Sequence, residues 1–168
     1  MPEYIYVSMQ YITAMASTND LLHVLQCKGL TLQPVVGDGA CQFRAISAQL
    51  YDGNQEMHND VRATIVQQLQ NNPTLYETFV IKNGTYKTYC EHMALSSTWG
   101  NHTTLHAAAD AYGATFVVTT VGFEQPDDIV IVPTALKLSE NPRYFEGKTC
   151  NIVFYVECHY ASTSASNF

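Results

Sequence analysis

Cys41 is the residue of this chain best placed to do chemistry. It closes the run Gly37-Asp38-Gly39-Ala40-Cys41 and stands just before Phe43, Ile46 and Leu50, which share one face of a helix while Arg44 and Gln49 fall off it. A turn feeding a helix N-terminus leaves backbone N–H groups without partners and carries the positive end of the helix dipole. A cysteine held there is favoured as the thiolate, its nucleophilic form, and the same N–H groups suit an oxyanion developing beside it. A buried packing role fits the residue type as well, because free cysteine is among the most buried residues. The far end of the chain bears on that choice. Residues Asn151–Tyr160 are β-branched and aromatic, apolar through the centre like a strand covered on both faces, and they run into His159. A thiol on an early helix and an imidazole on a late strand are the pair a thiol hydrolase needs. The imidazole takes the thiol proton and later delivers it to the leaving group.

Four segments, in order, are similar to one known family. They are Asp38-Gly39-Ala40-Cys41-Gln42-Phe43-Arg44-Ala45, Trp99-Gly100-Asn101-His102, Ala107-Ala108-Ala109-Asp110-Ala111-Tyr112-Gly113 and His159-Tyr160. Together they resemble the ovarian tumour (OTU) family of cysteine proteases over roughly residues 34–161, and four ordered motifs are far more specific than one. The resemblance implies an α+β, papain-like fold: a small mixed β-sheet flanked by helices. It implies a deubiquitinase that cleaves isopeptide bonds at the ubiquitin C-terminus through a thioester, with no cofactor. Cys41 is then the nucleophile, His159 the general base and Asp38 the acidic catalytic position. The backbone of Asp38, Gly39, Ala40 and Cys41 forms the oxyanion hole, and Trp99, Gly100 and Asn101 flank the channel for the ubiquitin tail. Two positions depart from the family pattern. Ala40 stands where Asn is common, which removes a side chain from a loop whose backbone does the work. Ala161 stands where Asn or Asp often orients the imidazole. Asp38 can substitute for it, Asn101 or Ser162 can reach the ring, or the ring is loosely held and activity is low. Asp38 itself either touches the imidazole or braces the oxyanion loop, and an Asp before Gly is also what a plain turn favours. Two alternatives therefore stand beside the deubiquitinase: a catalytically weak ubiquitin-binding module, and a thiol hydrolase for another ubiquitin-like modifier.

At 168 residues with 46% hydrophobic content, the chain is long enough for one well-buried core and too short for two ordinary domains. A net charge of −7 with eight Lys and Arg argues against a nucleic-acid partner and suits a basic protein partner such as ubiquitin or polyubiquitin. Five cysteines with no CxxC spacing favour a reducing compartment. With no secretory leader and no run of about 20 apolar residues, the expectation is a cytoplasmic monomer without a membrane partner, in its own cell or a host cytosol.

The elements that must position these residues follow from periodicity. Residues 1–33 read as an N-terminal extension, with a weakly alternating Tyr4–Tyr11 and a helix over about 18–28 opened by Ser17 and Asp20 and stopped by Gly29. The catalytic domain reads as 34–161, and the Ser/Thr-rich residues 162–168 as a frayed tail. Met57, Val61, Ile65 and Leu69 give a helix over 56–70, closed by Asn71-Asn72-Pro73. Further helices are expected after Thr74, over Tyr86–Leu95 and over Thr103–Tyr112, with strands at Thr115–Val121, Ile129–Val132 and Asn151–Cys158. His23, His58 and His92 fall on polar helix faces and read as solvated. His102, His106 and Asp110 share a helix face at zinc-ligand spacing, but Thr103 stands where a metalloprotease needs Glu, so the row reads as solvated and no metal is expected. In the loop 121–128, Phe123 with its acidic flanks is a candidate contact for ubiquitin's apolar patch and basic rim.

Overall fold

The computed structural model describes residues 19–80, 85–121, 127–137, 147–155 and 159–166. A helix over 19–27 (α1) leads into β1 (Leu30–Gln33), α2 (Cys41–Leu50) and α3 (His58–Asn71). A short α4 (Pro73–Tyr76) continues as a 3₁₀ turn, followed by α5 (Tyr86–Met93) and α6 (His102–Tyr112). The chain closes with β2 (Thr115–Val121), β3 (Asp127–Ile131), α7 (Thr134–Lys137), β4 (Thr149–Tyr155) and β5 (His159–Ala165). The five strands form one sheet in the order β1-β5-β4-β2-β3, with β2 parallel to β4 and every other pair antiparallel. This is the α+β architecture with a mixed sheet. Gly113, at φ +56°, ends α6 in the left-handed conformation that glycine adopts without a Cβ penalty.

Side chains alternate across the sheet, so each strand feeds two cores. On one face Phe116 and Ile152 pack with Phe43 and Ile46 of α2, Ile65 and Leu69 of α3, and Leu105 and Ala108 of α6. On the other, Val121, Val153 and Ala161 meet Leu21 and Leu25 of α1. Lys28, just past α1, reaches Asp128 at 2.6 Å and Thr119 at 3.1 Å, tying α1 to β2 and β3.

Residues on both sides of the expected catalytic stretch belong to its sheet. Residues 30–33 form the edge strand β1, which pairs with β5 from Leu30↔Ala165 to Gln33↔Ser162. The extension and the supposed tail thus complete the sheet together. Ser162 and Thr163 are buried and hydrogen-bonded to Gln49 and Asn151. A strand whose buried positions are small and polar carries little apolar alternation, which is why 162–165 read as frayed. α2 is likewise no half-exposed helix: residues 41–48 are all buried. His58 is buried, not solvated, whereas His23 and His92 are exposed. β4 starts at 149, two residues earlier than expected, and residues 156–158 of the expected strand lie outside the described residues; β3 starts at 127, two residues earlier than its apolar run. Tyr4–Tyr11, Ser17 and Phe123 lie outside the described residues.

Because Leu25 is 1% exposed and holds α1 on the sheet, Leu25→Ala is expected to lower unfolding free energy by about 2–4 kcal/mol. Urea titration against the unmodified protein measures it.

Candidate active site

Cys41 is the first residue of α2 and follows a turn in which Gly39 takes φ +83°. No side chain caps this helix, and the Cys41 N–H makes no hydrogen bond among the described residues. Asp38 shapes the turn. Its Oδ1 accepts from the Ala40 N–H at 3.0 Å, and its Oδ2 accepts from Arg44 Nη2 at 2.7 Å and Nε at 3.0 Å. The Arg44 hydrogen bond holds the Asp38 carboxyl down at about 2 despite the opposing effect of burial. Arg44 lies one helical turn beyond the turn it anchors, so the ion pair locks the loop onto its own helix. The sequence left Asp38 between touching the imidazole and bracing the loop; its hydrogen-bond partners are those of the brace. They also alter the expected donor set, because Ala40 gives its N–H to Asp38 and has none to offer an oxyanion.

His159 opens β5 opposite Tyr155. Its ring lies against the backbone of Gly37, where a Cβ would stand 3.7 Å from Cε1 and 3.8 Å from Nδ1. Two segments more than a hundred residues apart thus meet at the Cys41 loop, because α2 packs on the sheet beside β5. Cys41, His159, Trp99, Gly100 and Asn101 line one cavity of about 450 Å³, with an apolar floor from Leu105, Val118, Ile131 and Phe154. Trp99 is 58% exposed, so it is a wall of this cavity and no part of the core.

Gln42 was not singled out by sequence, and it organises the opposite wall. It is 1% exposed, donates to the Asn101 carbonyl at 3.1 Å and accepts from Thr104 Oγ1 at 2.5 Å. A Cβ at Gly100 would stand 2.0 Å from Gln42 Oε1. Glycine is required there by that buried amide, quite apart from any narrow channel. The one signal in the sequence was a polar residue beside the nucleophile. Asn101 caps α6 by accepting from Thr104 N and also accepts from Tyr89, while Ser162 accepts from Gln49. Both candidates for orienting His159 thus have other partners. Ala161 is buried beneath α1.

The polar row on α6 divides. His102 and His106 approach at 3.0 Å between their Nε2 atoms, and His106 stacks on Phe79. Asp110 is half-buried, not solvated as its helix position implied: it accepts from Tyr76 and from Thr134 at the start of α7. Asp128 is paired with Lys28, just past α1, which removes it from the free acidic flank expected of that loop.

A family model described as OTU-like cysteine protease matches residues 36–161. Ovarian tumour domain-containing deubiquitinating enzyme 12 of Arabidopsis thaliana is 42% identical over 113 residues, covering 67% of this chain and 50% of the relative. Deubiquitinating enzyme 9 of the same series and organism is 37% identical over 142 residues, 84% of this chain and 38% of the relative. The chain spans about half, or less, of the length of these curated relatives. Among solved structures, the OTU domain of OTUD1 superposes with a TM-score of 0.79 at 15% identity, over 92% of this chain and 99% of that one. An OTU domain in complex with ubiquitin gives a TM-score of 0.60 at 19% identity, covering 80% and 69%.

Asp38 carries a lowered carboxyl pKa, so its ion pair adds stability above the ordinary carboxylate range and loses it as pH falls through about 2. Asp38→Asn is expected to cost roughly 1 kcal/mol at pH 7, a figure discounted for the partly exposed carboxylate. The difference from the unmodified protein should close between about pH 4 and pH 2, read from denaturant unfolding across that range.

Proposed function

The chain belongs to the OTU family of cysteine proteases, and on that premise we propose that it is a deubiquitinase acting on isopeptide bonds at the ubiquitin C-terminus. The observation that carries this reading is the meeting of Cys41 and His159 in one cavity, with Cys41 at a helix start whose own N–H has no partner among the described residues. Cys41 Sγ, as the thiolate, attacks the carbonyl carbon of ubiquitin's last glycine. The resulting oxyanion is met by the N–H groups of Cys41 and Gly39, supplied from a loop that Asp38 keeps rigid before the substrate arrives. His159 takes the thiol proton and passes it to the lysine amine as the C–N bond breaks, leaving a thioester. Water, deprotonated by His159, then attacks the thioester and restores the thiol. Each step uses this chain's own groups.

Trp99 and the apolar floor receive the extended tail, and solved relatives bound to ubiquitin support ubiquitin or polyubiquitin as the partner. A monomer in a reducing cytosol, of its own cell or a host, keeps Cys41 free. No helix among the described residues is long and apolar enough to cross a membrane. Asp38 acts here as a positioning residue, and Phe123 remains a proposed substrate contact.

One observation favours a second reading. With Ala161 under α1 and both Asn101 and Ser162 hydrogen-bonded elsewhere, His159 lacks the usual orienting side chain, as a ubiquitin-binding module with little turnover would. A ubiquitin probe with a thiol-reactive C-terminus separates the two. The deubiquitinase forms an adduct that is lost in Cys41→Ala, followed by mass spectrometry; the binding module forms none. Reaction only with probes built on other ubiquitin-like modifiers would overturn the choice of substrate.

A further inference from the structure

Arg62 of α3 is a cation in the core of the molecule. It is 3% exposed, and none of the ion pairs among the described residues includes it. Burying a cation without a counter-ion is unfavourable, and a methionine of similar length would fill the space without that penalty. The guanidinium is instead enclosed by carbonyls. Nη1 donates to Met93 O at 3.0 Å and to Thr98 O at 2.9 Å, while Nη2 donates to Ser96 O at 3.0 Å. Its Cζ lies 3.8 Å from the centre of the Phe43 ring, over the ring.

These partners share a location. Phe43 is two residues past Cys41 on α2. The three carbonyls belong to the last residue of α5 and to the stretch that runs from it to Trp99, the cavity wall. Between two of them sits Ser97, whose carbonyl would stand 2.9 Å from a Cβ at Gly39. The oxyanion turn therefore leans directly on a strip of backbone that Arg62 holds on both sides. One guanidinium registers the nucleophile's helix through Phe43 and the turn before it through Ser97.

We propose that Arg62 is a positioning residue for the oxyanion turn, acting through the 93–98 backbone and without touching substrate. The proposal rests on the reading of Cys41 as the nucleophile of acyl transfer. Lysine cannot replace it. A single ammonium cannot reach three carbonyls from one plane while stacking on an aromatic ring, so Arg62→Lys keeps the charge and loses the registration.

The test compares Arg62→Lys with the unmodified chain in hydrolysis of a fluorogenic ubiquitin C-terminal substrate and in alkylation of Cys41 by iodoacetamide. Alkylation needs the thiolate but forms no oxyanion, so the two reactions part company if the turn alone is displaced. The expected result is a kcat about 10- to 100-fold lower, a KM within about twofold, and an alkylation rate of the folded protein within about threefold. A kcat within about twofold of the unmodified chain overturns the proposal. So does a fall in alkylation matching the fall in kcat, which is the mark of general loosening. Should Arg62→Lys fail to fold, Gly39→Ala displaces the same turn from Ser97 and must show the same divergence, or the proposal is wrong. Lack of hydrolysis by the unmodified chain would instead sink the underlying reading of the site.

Discussion

The Asp38 carboxylate, shared between the Ala40 N–H and the Arg44 guanidinium, is the constraint on which the site depends. A turn carrying Gly37 and Gly39 has a large conformational freedom to lose, and an oxyanion site works only if its donors are in place beforehand. The carboxylate supplies that order from inside the turn, and the arginine fastens it to the first turns of α2. Charge-assisted, two-point contacts of this kind are both stronger and more directional than neutral hydrogen bonds.

Burying α2 on every side creates the problem that the surrounding polar groups solve. Arg44, Ser47 and Gln42 are all inside, and each has a partner: Asp38, the Asn54 carbonyl, and the Asn101–Thr104 pair. An unpartnered polar group in this position would cost about 1–3 kcal/mol, so the network specifies one arrangement of α2 against α6 and the Trp99 segment. The wall of the cavity is thereby set by the same contacts that satisfy the nucleophile's helix.

The sheet places the other half of the chemistry. β5 is held between β4 and β1, which leaves His159 at the end of the strand beside the Gly37 turn. Two residues further along β5, Ala161 packs against Leu21 and Leu25 of α1, which occupy the space above it. A polar side chain at 161 would enter an apolar cluster, so the vacancy in the family pattern and the presence of α1 are one packing fact.

Much of this was readable from residues in order. The helix and strand periods and the glycine turn before Cys41 follow from local propensity or local motif, which neighbouring residues encode. The ordered motifs carried the family. What local pattern could not contain was long-range pairing. Ser162 and Thr163 look like tail residues until β1 pairs with them, and His58 and Arg44 look solvated until α2 is enclosed. Asp38 has two possible partners until Arg44 folds back onto it, and Gly100 has only a channel to explain it until Gln42 arrives beside it. By itself the sequence determined the chemistry on offer, because side-chain type and helix position set what a group can do. The tertiary structure alone decided which groups meet and which are already engaged, because burial and hydrogen-bond satisfaction are properties of neighbours that lie far apart along the chain.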